Sequence, residues 1–363
     1  TYGGRTCGLR VGSLSPSSTT LQGMNDISGI NAANLQKWFD PKVGGLDGPL
    51  TFTPVTGGHS NLTYRVADSS GRQWVLRRPP LGHVLATAHD MGREHRIISA
   101  LSDSGVPVPG IIGLCQDTEV NDAPFYVMDF VPGVILRLRD EAEEYSVEAR
   151  QKMGHSLIET LARIHSVDVD TVGLGDLARR DGYIERQLKR WRRQFVDATS
   201  REIPQVLSVH DTLAACIPEQ QGVSLVHGDY RLDNCMMNPE GPVAAVLDWE
   251  ISTLGDALAD VGGIISSITD QVSGANDLAS RSEGFPTADE IREIYGTFSD
   301  RNLEHLDFYV AFNHWRMACI IEGVYSRYVA GVMGEIDDVM VKAFGERVVV
   351  LADLAAETAA TLS

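Results

Sequence analysis

His227-Gly228-Asp229-Tyr230-Arg231-Leu232-Asp233-Asn234 follows a short apolar run, Ser224-Leu225-Val226, and precedes a second one, Val243 to Leu247, that ends on Asp248. Each apolar run has the length and β-branched content of a buried strand, and the polar octet between them reads as a loop. The loop carries an Asp and an Asn five positions apart, and a further Asp closes the next strand. The turns of an antiparallel pair made by the two runs are expected to bring the three side chains together. A carboxylate that orients and deprotonates a hydroxyl, beside two hard oxygen donors for Mg²⁺, is the side-chain set that phosphoryl transfer from ATP needs. Asp229 suits the first role, and Asn234 with Asp248 suits the second. His227 reads as a hydrogen-bonding brace of the loop, since Asp229 already supplies the base. Taken singly, His-Gly-Asp is also a plain turn and Asp248 a strand-end cap; it is their order and combination that points to chemistry.

Outward from this cluster the chain divides in character. Leu50 to Val55, Leu62 to Val66 and Gln73 to Arg77 read as strands, with a polar turn at Asp68-Ser69-Ser70-Gly71. Asp90 to Leu101 spaces Met91, Ile97, Ile98 and Leu101 as a helix packed on a sheet, and Pro107 and Pro109 end that segment. Phe125 to Met128 is a short apolar strand. Beyond it the periodicity is helical over Val147 to His165, Tyr183 to Ala198, Leu306 to Ala330 and Val339 to Thr361. The fold expected is α+β and two-lobed: a small antiparallel-sheet lobe over 24–130 and a larger helical lobe over 131–363, joined at Phe130 to Gly133. Residues 1–23 read as an unstructured leader, with Met24 a candidate start, and residues 270–287 as a polar loop.

The run His227 to Asn234, then Val246-Leu247-Asp248-Trp249-Glu250-Ile251-Ser252-Thr253-Leu254-Gly255-Asp256 and Leu258-Ala259-Asp260, resembles the aminoglycoside phosphotransferase and choline kinase superfamily. Within it the likeness is greatest to the kinase-like domain of acyl-CoA dehydrogenase family proteins, and it extends over roughly residues 50 to 330. The resemblance implies a protein-kinase-like fold, ATP and Mg²⁺ as cofactors, Asp229 as catalytic base, and Asn234 and Asp248 as metal ligands. It also implies an interlobe hinge at Met128-Asp129-Phe130-Val131. There the Asp129 carbonyl and Val131 N–H would meet the adenine edge, with Val75 and Met128 on the base.

Thr56-Gly57-Gly58-His59-Ser60-Asn61 lies between two strand-like runs as a phosphate-covering loop does. Its glycines let backbone N–H groups approach phosphate oxygens, and Ser60 or Asn61 can donate further bonds. Kinases place a lysine on the following strand and pair it with a helix glutamate. Here Val75-Leu76-Arg77-Arg78 has no lysine. Strand alternation puts Arg77 on the face of Val75, so Arg77 is the better candidate, with Arg78 the alternative and Glu94 the helix partner. A surface ion pair of Arg77 and Glu94 is the other reading.

The phosphate acceptor is the least legible part. Phe312 to Arg327 mixes aromatics and charges at helical spacing; Arg316 and Glu322 are candidates for the acceptor pocket, or else a satisfied ion pair beside core Trp315 and Tyr325. Asp256 and Asp260 read as braces of the loop, Asp256 being also a candidate for the acceptor, and His165 reads as structural. The basic run Arg186 to Arg193 suits an anionic substrate or a solvated helix face. The acceptor expected is the hydroxyl of a small molecule, either a polycationic aminoglycoside or a hydroxyacyl thioester or similar metabolite. A binder of nucleotide or partner without turnover is the alternative.

A formal charge of −18 speaks against a nucleic-acid surface, and no apolar run spans a membrane. Five scattered cysteines without a CxxC pair fit a reducing cytoplasm. Oligomeric state leaves no mark on the sequence.

Overall fold

The computed structural model describes residues 27–55, 61–82, 90–269, 277–332 and 337–362. The leader read over 1–23 and the phosphate-loop residues Gly57, Gly58 and Ser60 lie outside them.

Alternation in the first half builds one antiparallel sheet. β1 (Thr51–Pro54), β2 (Leu62–Ala67), β3 (Gln73–Arg78), β4 (Ile111–Cys115) and β5 (Phe125–Asp129) assemble in the order β1-β2-β3-β5-β4. Side chains at every second position share a face. On one face Tyr64, Val66, Trp74, Leu76, Phe125 and Val127 are buried against α1 (Ala32–Phe39) through Leu35 and Phe39. On the other, Tyr126 and Met128 join Ile97, Ile98 and Leu101 of α2 (Met91–Leu101). α2 starts where Asp90 caps it, its side chain accepting the Arg93 N–H. Its buried stripe of Met91, Glu94, Ile97, Ile98 and Leu101 is apolar except for Glu94. α1, β4 and the single turn α3 (Thr118–Asn121) were not anticipated, because short runs with mixed polarity carry little periodic signal.

After β5 the connector is pinned rather than loose: Val134 exchanges both backbone hydrogen bonds with Met237, at 2.9 and 2.8 Å. The second half is helical: α4 (Arg139–Glu143), α5 (Val147–Ser166), α6 (Tyr183–Ala198), α7 (Pro204–Ala215), α8 (Leu258–Thr269), α9 (Ala288–Phe298), α10 (Leu306–Val329) and α11 (Asp338–Ala359). Their core is rich in large side chains, with Trp249, Trp315, Tyr295, Tyr309, Phe308 and Phe312 wholly buried. It is continuous with the α2 face of the sheet, so the two halves share one apolar interior. Among the described residues no helix is long and apolar enough to cross a membrane.

The strands around the polar octet correct the sequence reading. β6 (Ser224–Val226) and β8 (Val243–Val246) form as expected but do not pair with each other. β6 pairs with β9 (Thr253–Gly255), and β8 pairs with β7 (Cys235–Met237). Three-residue strands such as β7 and β9 are too short to show a period, and their partners are therefore invisible in sequence.

α8, which carries Asp260, crosses α10 at unusually close range. A Cβ on Gly262 would lie 2.5 Å from the Tyr309 carbonyl carbon and 2.7 Å from its oxygen. Replacing an ordinary helical Gly by Ala stabilises by ~1 kcal/mol. Here Gly262→Ala is expected to lower the unfolding free energy by about 1–3 kcal/mol through overpacking. Equilibrium denaturation checks this, and a gain in stability would show that the helices do not need this contact.

Candidate functional site

The loop after β6 is held from beneath by one carboxylate. Asp260, in the first turn of α8, is buried and accepts the His227 N–H at 2.7 Å and the Gly228 N–H at 2.8 Å. His165 Nε2 lies 3.3 Å from the same carboxylate, and its Nδ1 is 2.9 Å from the Tyr295 hydroxyl. Burial by itself would raise the Asp260 pKa, but the His165 hydrogen bond and nearby partners hold it below the ordinary range. Burial also depresses the His165 pKa, against the opposing pull of the Asp260 carboxylate. Gly228 is left-handed at φ +85, a conformation glycine adopts without a Cβ clash.

His227 is wholly buried and uses both ring nitrogens within the loop. Nε2 is 2.9 Å from the Leu247 carbonyl, so it donates, and Nδ1 accepts the Asp229 N–H at 3.3 Å. Its ring packs on Trp249, centroids 4.8 Å apart, and Trp249 donates from Nε1 to the Val246 carbonyl. The imidazole thus ties the Asp229 loop to the segment that runs from β8 to Asp248.

Asn234, in a 3-10 turn, donates from Nδ2 to the backbone oxygen of Asp229 at 2.8 Å and to its Oδ2 at 3.0 Å. That orients Asp229 and leaves the Asn234 amide oxygen as an acceptor. Asp248 has φ +64, left-handed and uncommon outside glycine. Such strain persists where surroundings impose it, and buried Trp249 beside it supplies the constraint.

The strand arginines part company here. Arg77 shares the face of Val75 and reaches Glu94 through Nη1 at 2.8 Å and Asp248 through Nη2 at 3.1 Å. Arg78 points the opposite way and donates to the backbone oxygens of Gly29 and Asn121. Of the two candidates, only Arg77 faces the cluster, and its pairing with Glu94 is buried rather than on the surface. Burial pushes the Glu94 carboxyl up to about 7 against the opposing pull of Arg77. The guanidinium itself is held charged, its pKa raised by Glu94 and Asp248 against the effect of burial.

A cavity of about 250 Å³ lies between the sheet and this cluster. Val75, Met128, Met236 and Leu247 give it apolar walls, Asp129, Phe130 and Val131 line it where the connector leaves β5, and Arg77, Asn234 and Asp248 form the polar end. Asn61 also lines it and donates to Glu250 at 3.0 Å, so the last residue of the Thr56 to Asn61 loop reaches the stretch after Asp248. Asp229 borders a second, smaller cavity of about 120 Å³, together with Arg316.

Of the acceptor candidates, Arg316 alone sits at that second cavity, donating to the Gly228 carbonyl at 2.8 Å. Asp256 is spent inside the fold, accepting the Tyr309 hydroxyl at 2.6 Å and the Leu258 N–H at 3.1 Å. Glu322 is wholly buried and pairs with Arg201 at 2.6 Å and Thr199 at 2.7 Å. It is therefore neither at the cavity nor the partner of Arg316, because two residues six apart on α10 project to different sides. Trp315 is core, donating to the Val206 carbonyl. Tyr325 is only half-buried, under the Arg201 guanidinium at 4.3 Å.

Three arginines escaped the sequence reading. Arg231 lies within the octet, 3.4 Å from Asp229 and 3.2 Å from Asp233. Arg93, beside Glu94, donates to the Ser252 and Leu177 carbonyls and fastens α2 to the segment after Asp248. Arg347 lines the second cavity from α11 with no sequence signal at all.

Known proteins resemble this chain in sequence and in fold. Mouse acyl-CoA dehydrogenase family member 10 is 37% identical over 293 residues, which is 78% of this chain but 27% of that protein. The chain thus spans about a quarter of the length of this curated relative. A crystal structure from Ralstonia eutropha, assigned to the aminoglycoside phosphotransferases, is 31% identical with a TM-score of 0.80, covering 92% of this chain and 99% of that one. The GDP complex of aminoglycoside 2'-phosphotransferase-IIIa shares the fold alone, at 14% identity and a TM-score of 0.59 over 90% of this chain and 99% of that one. The profile described as the phosphotransferase enzyme family matches residues 51–294, across the sheet, the octet and α8. With its two-lobed kinase-like architecture and this match over most of its length, the chain belongs to the phosphotransferase enzyme family.

Proposed function

We propose that the chain transfers the γ-phosphoryl group of ATP, with Mg²⁺, to a hydroxyl of a small molecule. The observation that carries this reading is that Asp229, at the edge of the second cavity, is hydrogen-bonded to Asn234, which lines the first together with Asp248. An apolar slot with a polar end suits a purine and its phosphates, and a neighbour of the same fold binds GDP.

The donor set fits Mg²⁺. Asn234 and Asp248 offer hard oxygens at the polar end, and among the described residues no cluster of three or more His, Cys, Asp or Glu competes for another metal. Held by Asn234 and Asp248, the ion would supply positive charge to offset the charge that develops on the phosphates. Asp229 accepts the proton of the acceptor hydroxyl as its oxygen bonds to the γ-phosphorus and the bond to the ADP oxygen breaks. Arg77 holds phosphate oxygens with its planar fork, in place of the usual lysine. Relatives named as acyl-CoA dehydrogenase family members favour a metabolite such as a hydroxyacyl thioester over an aminoglycoside as acceptor. A second reading, nucleotide binding without turnover, draws on the direct pairing of Arg77 with Asp248, which engages one of the metal ligands.

Asp229→Asn is expected to keep Mg-ATP affinity within about threefold while transfer falls by about 10²–10⁴-fold. Asp248→Ala is expected to abolish metal-dependent binding. Calorimetric titration and an ATP-consumption screen over hydroxylated metabolites and aminoglycosides measure both. If neither the wild type nor Asp229→Asn binds Mg-ATP, the kinase reading fails; if both bind and no acceptor is consumed, the second reading holds. Arg77→Met leaves Glu94 buried without its counter-ion, so a stability loss of about 3–5 kcal/mol is expected in a denaturant titration. A loss below ~1 kcal/mol would show that the pair contributes little.

A further inference from the structure

Gly228 gives the octet its left-handed turn at φ +85, and a residue without a Cβ leaves the peptide after it with little steric restraint. That peptide, between Gly228 and Asp229, carries the candidate base. It is held at both ends. Its N–H, the Asp229 amide, donates to His227 Nδ1 at 3.3 Å. Its oxygen, the Gly228 carbonyl, accepts from Arg316 Nη2 at 2.8 Å. In a trans peptide these two groups point in opposite directions, so the plane is gripped from opposite sides. The bond from Arg316 is the shorter of the two and comes from a charged donor, which makes it the stronger hold. Asn234 acts further along, on the carbonyl oxygen and Oδ2 of Asp229 itself.

Arg316 reaches the octet from the far side of the helical half. It ends a polar stripe on α10 formed with Tyr309 and Asn313, at the spacing of side chains that share a helix face. Tyr309 donates to Asp256 at 2.6 Å, and Asn313 donates to the Ala259 carbonyl at 2.9 Å. These two secure the approach to α8 and with it Asp260, which holds the His227 and Gly228 N–H groups. Arg316 takes the next peptide along. It also borders the small cavity at whose edge Asp229 stands, so the grip and the carboxylate it sets share one wall.

Resting on the phosphotransfer reading above, we propose that Arg316 is a positioning residue for Asp229. It stops the Gly228–Asp229 peptide from flipping and so keeps the carboxylate aimed at the hydroxyl whose proton it takes. It acts through the backbone, with no contact to nucleotide or to the reacting atoms.

The test does not depend on the identity of the acceptor. Amide hydrogen exchange is followed by NMR on the full chain, and Mg-ATP consumption is measured with water alone and with the hydroxylated metabolites and aminoglycosides of the screen. Arg316→Met keeps the apolar stem and removes the donors. It is expected to speed exchange of the Asp229 N–H by about tenfold or more, while the His227 and Gly228 N–H groups stay within about threefold of wild type. In the same variant kcat is expected to fall by about tenfold or more with KM for ATP unchanged. Arg316→Lys retains one donor and is expected to recover part of both. Arg316→Gln, polar but too short to reach Gly228, tests the same loss if Arg316→Met fails to fold. Asp229 exchange unchanged in both Arg316→Met and Arg316→Gln, equal acceleration of all three amides, or a loss confined to the acceptor KM would overturn the proposal. If the wild type consumes no Mg-ATP, the phosphotransfer reading fails, and the exchange data alone decide whether Arg316 holds the peptide.

Discussion

The candidate site hangs on the buried carboxylate of Asp260. Two backbone N–H groups at the start of the octet would otherwise face a protein interior without partners, and a lone charge there would be costly. Each cures the other: the N–H groups and His165 satisfy Asp260, and Asp260 fixes the path of His227 and Gly228. From that fixed start the backbone enters Asp229, whose N–H returns to His227 Nδ1. Because α8 sits so close to α10 at Gly262, helical packing sets where the carboxylate stands.

The second organising contact crosses the cleft. Arg77 belongs to the sheet, Glu94 to α2 and Asp248 to the segment after β8, and one guanidinium joins all three. A lysine's single ammonium would have to reach both carboxylates from one point, whereas the fork addresses each through a different nitrogen. Arg93 adds a further tie between α2 and Ser252. The sheet half and the helical half are consequently linked through charge at the place where the larger cavity opens.

Local charge and overall charge diverge in this molecule. The net value of −18 describes the surface as a whole, while the site is shaped by a few buried pairs such as Arg77 with Glu94. Sums over a sequence speak to solubility and long-range steering, and not to a pocket a few ångströms wide.

The alternation of β2 and β3, the stripe of α2 and the limits of α6 were readable in the sequence because each runs long enough to show its period. Asp229, Asn234 and Asp248 stood out because residue types with chemical meaning fell close together in the chain. What stayed hidden shares a physical cause: it depends on partners distant in sequence. The pairing of β6 with β9 and of β7 with β8, the turning of Arg78 toward Gly29, the pairing of Glu322 with Arg201, and the arrival of Arg347 at the cavity beside Asp229 are all settled by how helices and strands pack. The sequence by itself determined which side chains have the chemistry for the site and on which elements they ride. Tertiary structure alone decided which of them meet, because contact between residues a hundred positions apart follows from packing of the core and not from any local pattern.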